Sequence, residues 1–217
     1  MRESDTMTAS TALIDGLTES MQPVMRRRPG REVMILAGIG LLQLIGTMSL
    51  LGENAAAVFS KDMIGITAKA IMLAGATLMF VLLAFRSLLP TTPRQGKMMA
   101  LAGALVTAFG VFTLDWDMGG SVGAALMPHK GIVCLLSSIS FALPLFITLT
   151  LFMRGAAPTQ PKMTALLIGM ASGSWGVFVY GLQCPFTNIA YIALWYGGAI
   201  GLVTLAAAVI LPRFSRW

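Results

Sequence analysis

The sequence predicts an all-α integral membrane protein: six transmembrane helices preceded by a short cytoplasmic N-terminal amphipathic segment. Three observations carry this expectation. Hydrophobic residues make up 56% of the 217 residues and charged residues only 11%, where a soluble domain holds about one quarter charged residues. Six apolar stretches lie between Val33 and Leu211, separated by short polar joints. None of them alternates over ~10 residues as a barrel strand does, and a spanning helix satisfies its backbone hydrogen bonds internally.

The crossings fall at 33–51, 64–85, 98–114, 132–153, 163–182 and 188–211, since about 20 apolar residues rise far enough to cross a ~30 Å hydrocarbon core. The third is the shortest, at 17 residues. Together they form a membrane domain over 33–211, with 1–32 ahead of it and 212–217 as a C-terminal tail. An N-terminus inside the cell puts Arg2, Arg26, Arg27, Arg28, Arg31, Arg86, Arg94, Lys97, Arg154, Lys162, Arg213 and Arg216 in the cytoplasm. Only Lys61, Lys69 and Lys130 then fall on the other side, twelve basic residues against three. The joints are short, so this asymmetry sets the orientation, with both termini cytoplasmic. The basic balance then needs no direct nucleic-acid partner, because topology and the lipid bilayer account for it. Residues 1–32 hold no apolar core of a cleavable signal peptide, which leaves the first span as the insertion signal.

The head, 1–32, is too short for a core of its own. Ser10 or Thr11 is placed to cap a helix starting at Ala12, with Asp15 near its positive dipole end. Leu13, Ile14, Leu17 and Met21 then share one apolar stripe, which Pro23 ends. Such a stripe lies on the inner leaflet, aided by the arginines at 26–28 and 31, or enters a groove on a cytoplasmic protein. The residues alone fit both.

In the first span Gln43 is the one large polar side chain near mid-membrane, and it is expected to hydrogen-bond a neighbouring helix. In the second, Lys69 lies about 7 Å from the outer end. Its ammonium is expected to snorkel outward or to pair with Glu53, Asp115 or Asp117. The span centres otherwise lack the ionisable groups of an ion-coupled transporter. Asp115 and Asp117 flank Trp116 without a nucleophile or ligand cluster and read as loop carboxylates. In the fifth span Gly169, Gly173 and Gly176, with Ser172 and Ser174, predict close helix contacts rather than a phosphate loop. One histidine excludes bis-histidine haem ligation within a subunit, and the 16 methionines are scattered without ligand spacing. These absences argue against an enzyme.

Cys134 opens the fourth span and Cys184 closes the fifth, so the topology puts both at the outer face. Such cysteines form a disulfide, remain a thiol pair, bind a soft or heavy metal ion, or are inert packing residues. His129, on the same side, is a candidate third metal ligand beside Cys134 and Cys184.

With these features in order, the chain resembles the NrsF family of membrane anti-sigma factors, six-span negative regulators of extracytoplasmic-function sigma factors. The resemblance rests on three parts. They are the head Leu13-Ile14-Asp15-Gly16-Leu17 with Pro23-Val24 and the arginine cluster; the two cysteines 50 positions apart; and Cys184-Pro185 followed by Leu194-Trp195-Tyr196. It implies that the head, through Leu13, Ile14, Leu17 and Met21, contacts a cytoplasmic sigma factor, with the inner loops at 86–97 and 154–162 extending the surface. It also implies that Cys134 and Cys184 sense a heavy metal or an oxidant. A small multi-span transporter or channel is the rival expectation. A membrane thiol oxidoreductase is less favoured, because no Cys-x-x-Cys pair is present.

Overall fold

The computed structural model describes residues 16, 29–51, 63–88, 128–156, 160–186 and 191–214. The chain divides into two units, Met1–Gly30 and Arg31–Trp217, and the second holds the helical core. Its elements are α1 (Pro29–Leu51), α2 (Met63–Ser87), α3 (Pro128–Arg154), α4 (Pro161–Gly181) and α5 (Gly197–Phe214), the last entered through a π-helical turn, Ile192–Tyr196. No strand occurs among the described residues. Five helices are long and apolar enough to cross a membrane. The predicted span 98–114 lies outside the described residues, as do the head residues Leu13, Ile14, Leu17 and Met21 and the loop carboxylates Glu53, Asp115 and Asp117.

Local chemistry explains the boundaries. α1, α3 and α4 each open on a proline, Pro29, Pro128 and Pro161, a position whose N–H has no partner within the helix and whose fixed φ suits it. α1 therefore starts four residues before the expected crossing at 33. α2, α3 and α5 carry Arg86, Arg154 and Arg213 in their last turns, where a cation complements the negative dipole end. α5 runs on through Pro212 to Phe214, so the helix extends into the expected tail. Pro144 inside α3 removes one backbone donor. A turn later, the Thr148 hydroxyl donates to the Pro144 carbonyl at 2.8 Å.

α4 is the central helix: most of its residues are buried, and it packs against α2, α3 and α5. All three run antiparallel to it. Thr164, at the start of α4, donates to the Ser87 carbonyl at the end of α2 at 3.4 Å, while Gly181, at its end, meets Leu73 of α2 and Tyr196 before α5. The glycines act as expected. A Cβ on Gly169 would sit 2.6 Å from the Thr204 Cα and one on Gly173 3.0 Å from the Ile200 Cα, so both admit the backbone of α5. Gly176 faces α3 instead, against the Ser138 carbonyl and Ala142. Close backbone approach of this kind is what small residues supply where lipid offers no hydrophobic driving force.

Gln43 joins three helices. Its amide donates to the Phe141 carbonyl of α3 at 3.0 Å and accepts from Trp175 Nε1 of α4 at 2.7 Å. The bundle encloses two apolar clusters. One, around Leu83, Leu149, Ile168 and Leu211, fills the end where the arginines gather. The other, around Leu73, Cys134, Val177, Cys184 and Tyr196, fills the opposite end. Large apolar side chains such as Met34, Leu42, Ile71, Leu78 and Leu205 point outward, as a surface in contact with lipid requires.

Candidate functional site

Cys134 lies on α3, less than two turns after its proline start, and Cys184 lies three residues past the end of α4. Antiparallel packing of α3 on α4 brings these distant positions to one depth. Both are free, buried thiols, 0% and 4% exposed. The two thiols are neighbours within one buried cluster that also holds Leu73, Val177, Tyr191 and Tyr196. The sequence left disulfide, thiol pair, metal site and separate packing residues open; the structure brings the two together as neighbouring free thiols in one buried cluster.

The surroundings come from every neighbouring element. Lys69 of α2 is buried, 5% exposed, and its ammonium donates to the Cys184 carbonyl at 2.6 Å and to the Phe186 carbonyl at 3.2 Å. The expectation that Lys69 snorkels outward is thus corrected. The chain beyond α4 turns its free carbonyls inward, and the ammonium satisfies them where no helical N–H is available. A charged residue within an apolar span is by default a functional candidate, and that signal was present in the sequence.

Tyr191 and Tyr196 close the pair from the α5 side, and both are buried. The Tyr196 hydroxyl lies beside both sulfurs but forms no hydrogen bond of good geometry among the described residues. A π-helical turn carries Tyr196. Such turns widen the helix by one residue, re-aim side chains and are frequent at functional sites. Trp195 lies over Gly131, where any Cβ would collide with the indole. Phe186, Tyr191 and Trp195 form a row, with ring centroids 5.0 and 6.4 Å apart, and the Lys130 ammonium sits 5.4 Å over the Phe186 ring. The sequence had marked Leu194-Trp195-Tyr196 only as a resemblance. Two of its residues pack on the cysteine-bearing segments, and Leu194 points outward.

His129 stands exposed in the first turn of α3, and no group of three His, Cys, Asp or Glu side chains able to hold a metal occurs among the described residues. His129 is thus not brought together with Cys134 and Cys184 into such a group. Two thiols remain, a donor set suited to a soft cation or to disulfide formation. The Cys184 thiol is held below its ordinary value, first by the hydrogen bond from Cys134. The Phe186 backbone and the Lys69 charge add to this, against burial, which pushes it up. Low thiolate cost and a nearby cation are what distinguish a reactive thiol from an inert buried one.

Fold and site together define a bundle of apolar, membrane-length helices with a buried thiol pair near one end. The chain belongs to the NrsF family: the family model described as negative regulator of sigma F matches residues 17–217. Among curated proteins it is similar to the anti-sigma-F factor NrsF of Caulobacter vibrioides (strain NA1000 / CB15N), 37% identical over 65 residues, which are 30% of this chain and 28% of that protein. It is also similar to the probable anti-sigma-F factor NrsF of Azospira oryzae (strain ATCC BAA-33 / DSM 13638 / PS), 30% identical over 86 residues, 39% of each chain. The matched stretches thus span less than half the length of either relative. No solved structure matches.

Proposed function

We propose that this protein is an anti-sigma factor that holds an extracytoplasmic-function sigma factor at the cytoplasmic face of the inner membrane and releases it when a heavy-metal ion or an oxidant engages the outer cysteine pair. The observation that carries this reading is the family match across residues 17–217. In this reading the segment 1–32 supplies the sigma contact, with Leu13, Ile14, Leu17 and Met21 as its apolar face, and both termini are cytoplasmic. The clustering of Arg86, Arg154 and Arg213 at the end of the bundle away from Cys134 and Cys184 supports that orientation.

The position of the thiols supports the sensing half. α2, α3, the segment after α4 and the π turn before α5 all contribute side chains around them. Seating a cation between the sulfurs, or joining them, displaces the Cys184 segment relative to α3. The close glycine contacts on α4 leave little slack to absorb this locally, so the displacement is passed along the helices toward the cytoplasmic end. A signal releases sigma only as far as it binds the two states differently, and about 2.7 kcal/mol of such coupling changes sigma affinity ~100-fold. The test is purification of the intact protein from its own membranes. A sigma factor that accompanies the full chain and is absent when residues 1–32 are removed supports the reading. Its absence from both samples refutes it.

A further inference from the structure

We propose that Tyr196 makes the cysteine pair a binding site for a small uncharged hydroperoxide: its hydroxyl donates a hydrogen bond to a peroxide oxygen lodged against the sulfurs and stabilises the charge that oxygen gains as the thiols reduce it. This deepens the oxidant-sensing role proposed above and takes its biological meaning from it.

The packing leaves this hydroxyl unexplained. Tyr196 is 1% exposed, yet its oxygen has no hydrogen-bond partner among the described residues. A buried hydroxyl without a partner is costly, so one that persists marks a place for a water, an ion or a reacting group. The oxygen lies at the end of α4, 3.8 Å from where a Cβ on Gly181 would stand, and Cys184 follows three residues later. Glycine at 181 thus leaves that side of the hydroxyl free of a side chain. Cys134, Cys184 and Tyr196 share one buried cluster, so an acceptor seated at the hydroxyl meets the thiols as well. The other buried hydroxyls without partners gather around the same cluster. Ser138 stands one turn past Cys134 on α3, and Thr77 one turn past Leu73 on α2. Unused hydroxyl donors call for an oxygen acceptor, and the apolar walls around them penalise a charged one.

The reaction balances without another co-reactant. One thiol sulfur attacks the near oxygen of hydrogen peroxide, the O–O bond breaks, and the far oxygen leaves with the bonding pair and takes up the thiol proton as water. The second thiol then attacks the sulfenic acid so formed: an S–S bond forms, the S–O bond breaks and a second water leaves. Two thiols are oxidised to one disulfide, and the peroxide is reduced by two electrons. Tyr196 acts in the first step, where charge builds on the leaving oxygen.

The experiment follows loss of free thiols from the full chain in lipid nanodiscs with two small uncharged probes, hydrogen peroxide and iodomethane. Iodomethane forms a sulfur–carbon bond and releases iodide, so it brings no oxygen for Tyr196 to hold, whereas a change in thiol access or ionisation alters both rates alike. Tyr196→Phe is expected to lower the ratio of peroxide rate to iodomethane rate by about 100-fold, the scale of one donor lost from an oxyanion site, and a fall of less than about 10-fold overturns the proposal. A hydroxyl that merely binds a water gives that second result. The melting temperature of Tyr196→Phe stays at the parent's, since the oxygen removed has no partner in the fold. A lower one shows that the hydroxyl is already bonded and overturns the proposal too. The assay contains no sigma factor, so a normal Tyr196 effect in a protein that fails to retain sigma refutes only the functional reading.

Discussion

Gly176→Val tests whether the α3–α4 contact sets the thiol pair. A Cβ at this position would lie 2.7 Å from the Ala142 amide nitrogen and 2.9 Å from the Ala142 Cβ, and closer still to the Ser138 carbonyl. Ordinary contact begins near 3.5 Å, so the two helices must part by about 1 Å. The atoms met are mostly backbone, which cannot rotate aside, and overpacking of this sort costs about 1–3 kcal/mol. Ser138 is one turn from Cys134 on the same helix, so the separation reaches the sulfur directly. If the closed pair bears that cost, disulfide formation under a mild oxidant slows by about 5- to 150-fold. Free-thiol titration over time reads it, alongside the melting temperature in detergent. Gly75→Val is the control, since nothing lies within 4 Å of a Cβ there. A Gly176→Val protein that melts and cross-links like the parent would show that the glycine contact does not position the cysteines.

Leu13→Asp together with Leu17→Asp should release sigma without expelling the protein from the membrane. Desolvating an unpaired carboxylate in a groove costs several kcal/mol, a large part of the ~8 kcal/mol in a micromolar contact. Co-sedimentation of sigma with membranes checks it. Gln43→Leu should lower stability by about 1–3 kcal/mol, because it removes two cross-helix hydrogen bonds and strands the Trp175 indole N–H. In a double-mutant cycle with Trp175→Phe the loss in the double mutant should be smaller than the sum of the two single losses.

Much of the fold was legible because the apolar runs have one cause, the thickness of hydrocarbon they cross. The contacts of Gln43 and of Gly169, Gly173 and Gly176 were legible too, since an amide or a bare backbone in an apolar helix has few uses besides a neighbouring helix. For Lys69 the expectation of snorkelling failed for a physical reason. Distance to the membrane surface favours snorkelling, but it is silent about the inward-turned carbonyls of Cys184 and Phe186, which exist only once α4 has ended beside α2. The nearness of Cys134 and Cys184 was likewise suggested by depth alone, whereas their contact depends on the crossing of α3 and α4. Tyr196 was hidden because a π-helical turn shifts its direction from that of an ordinary helix.

Whether thiol chemistry at Cys134 and Cys184 controls the hold on sigma is read from the sigma retained on the membrane-embedded full chain before and after cadmium. The parent protein is expected to retain sigma without cadmium and to lose most of it with cadmium, while Cys134→Ser combined with Cys184→Ser, present at the same level, no longer changes when cadmium is added. Equal loss of sigma from both proteins, or from neither, would contradict it.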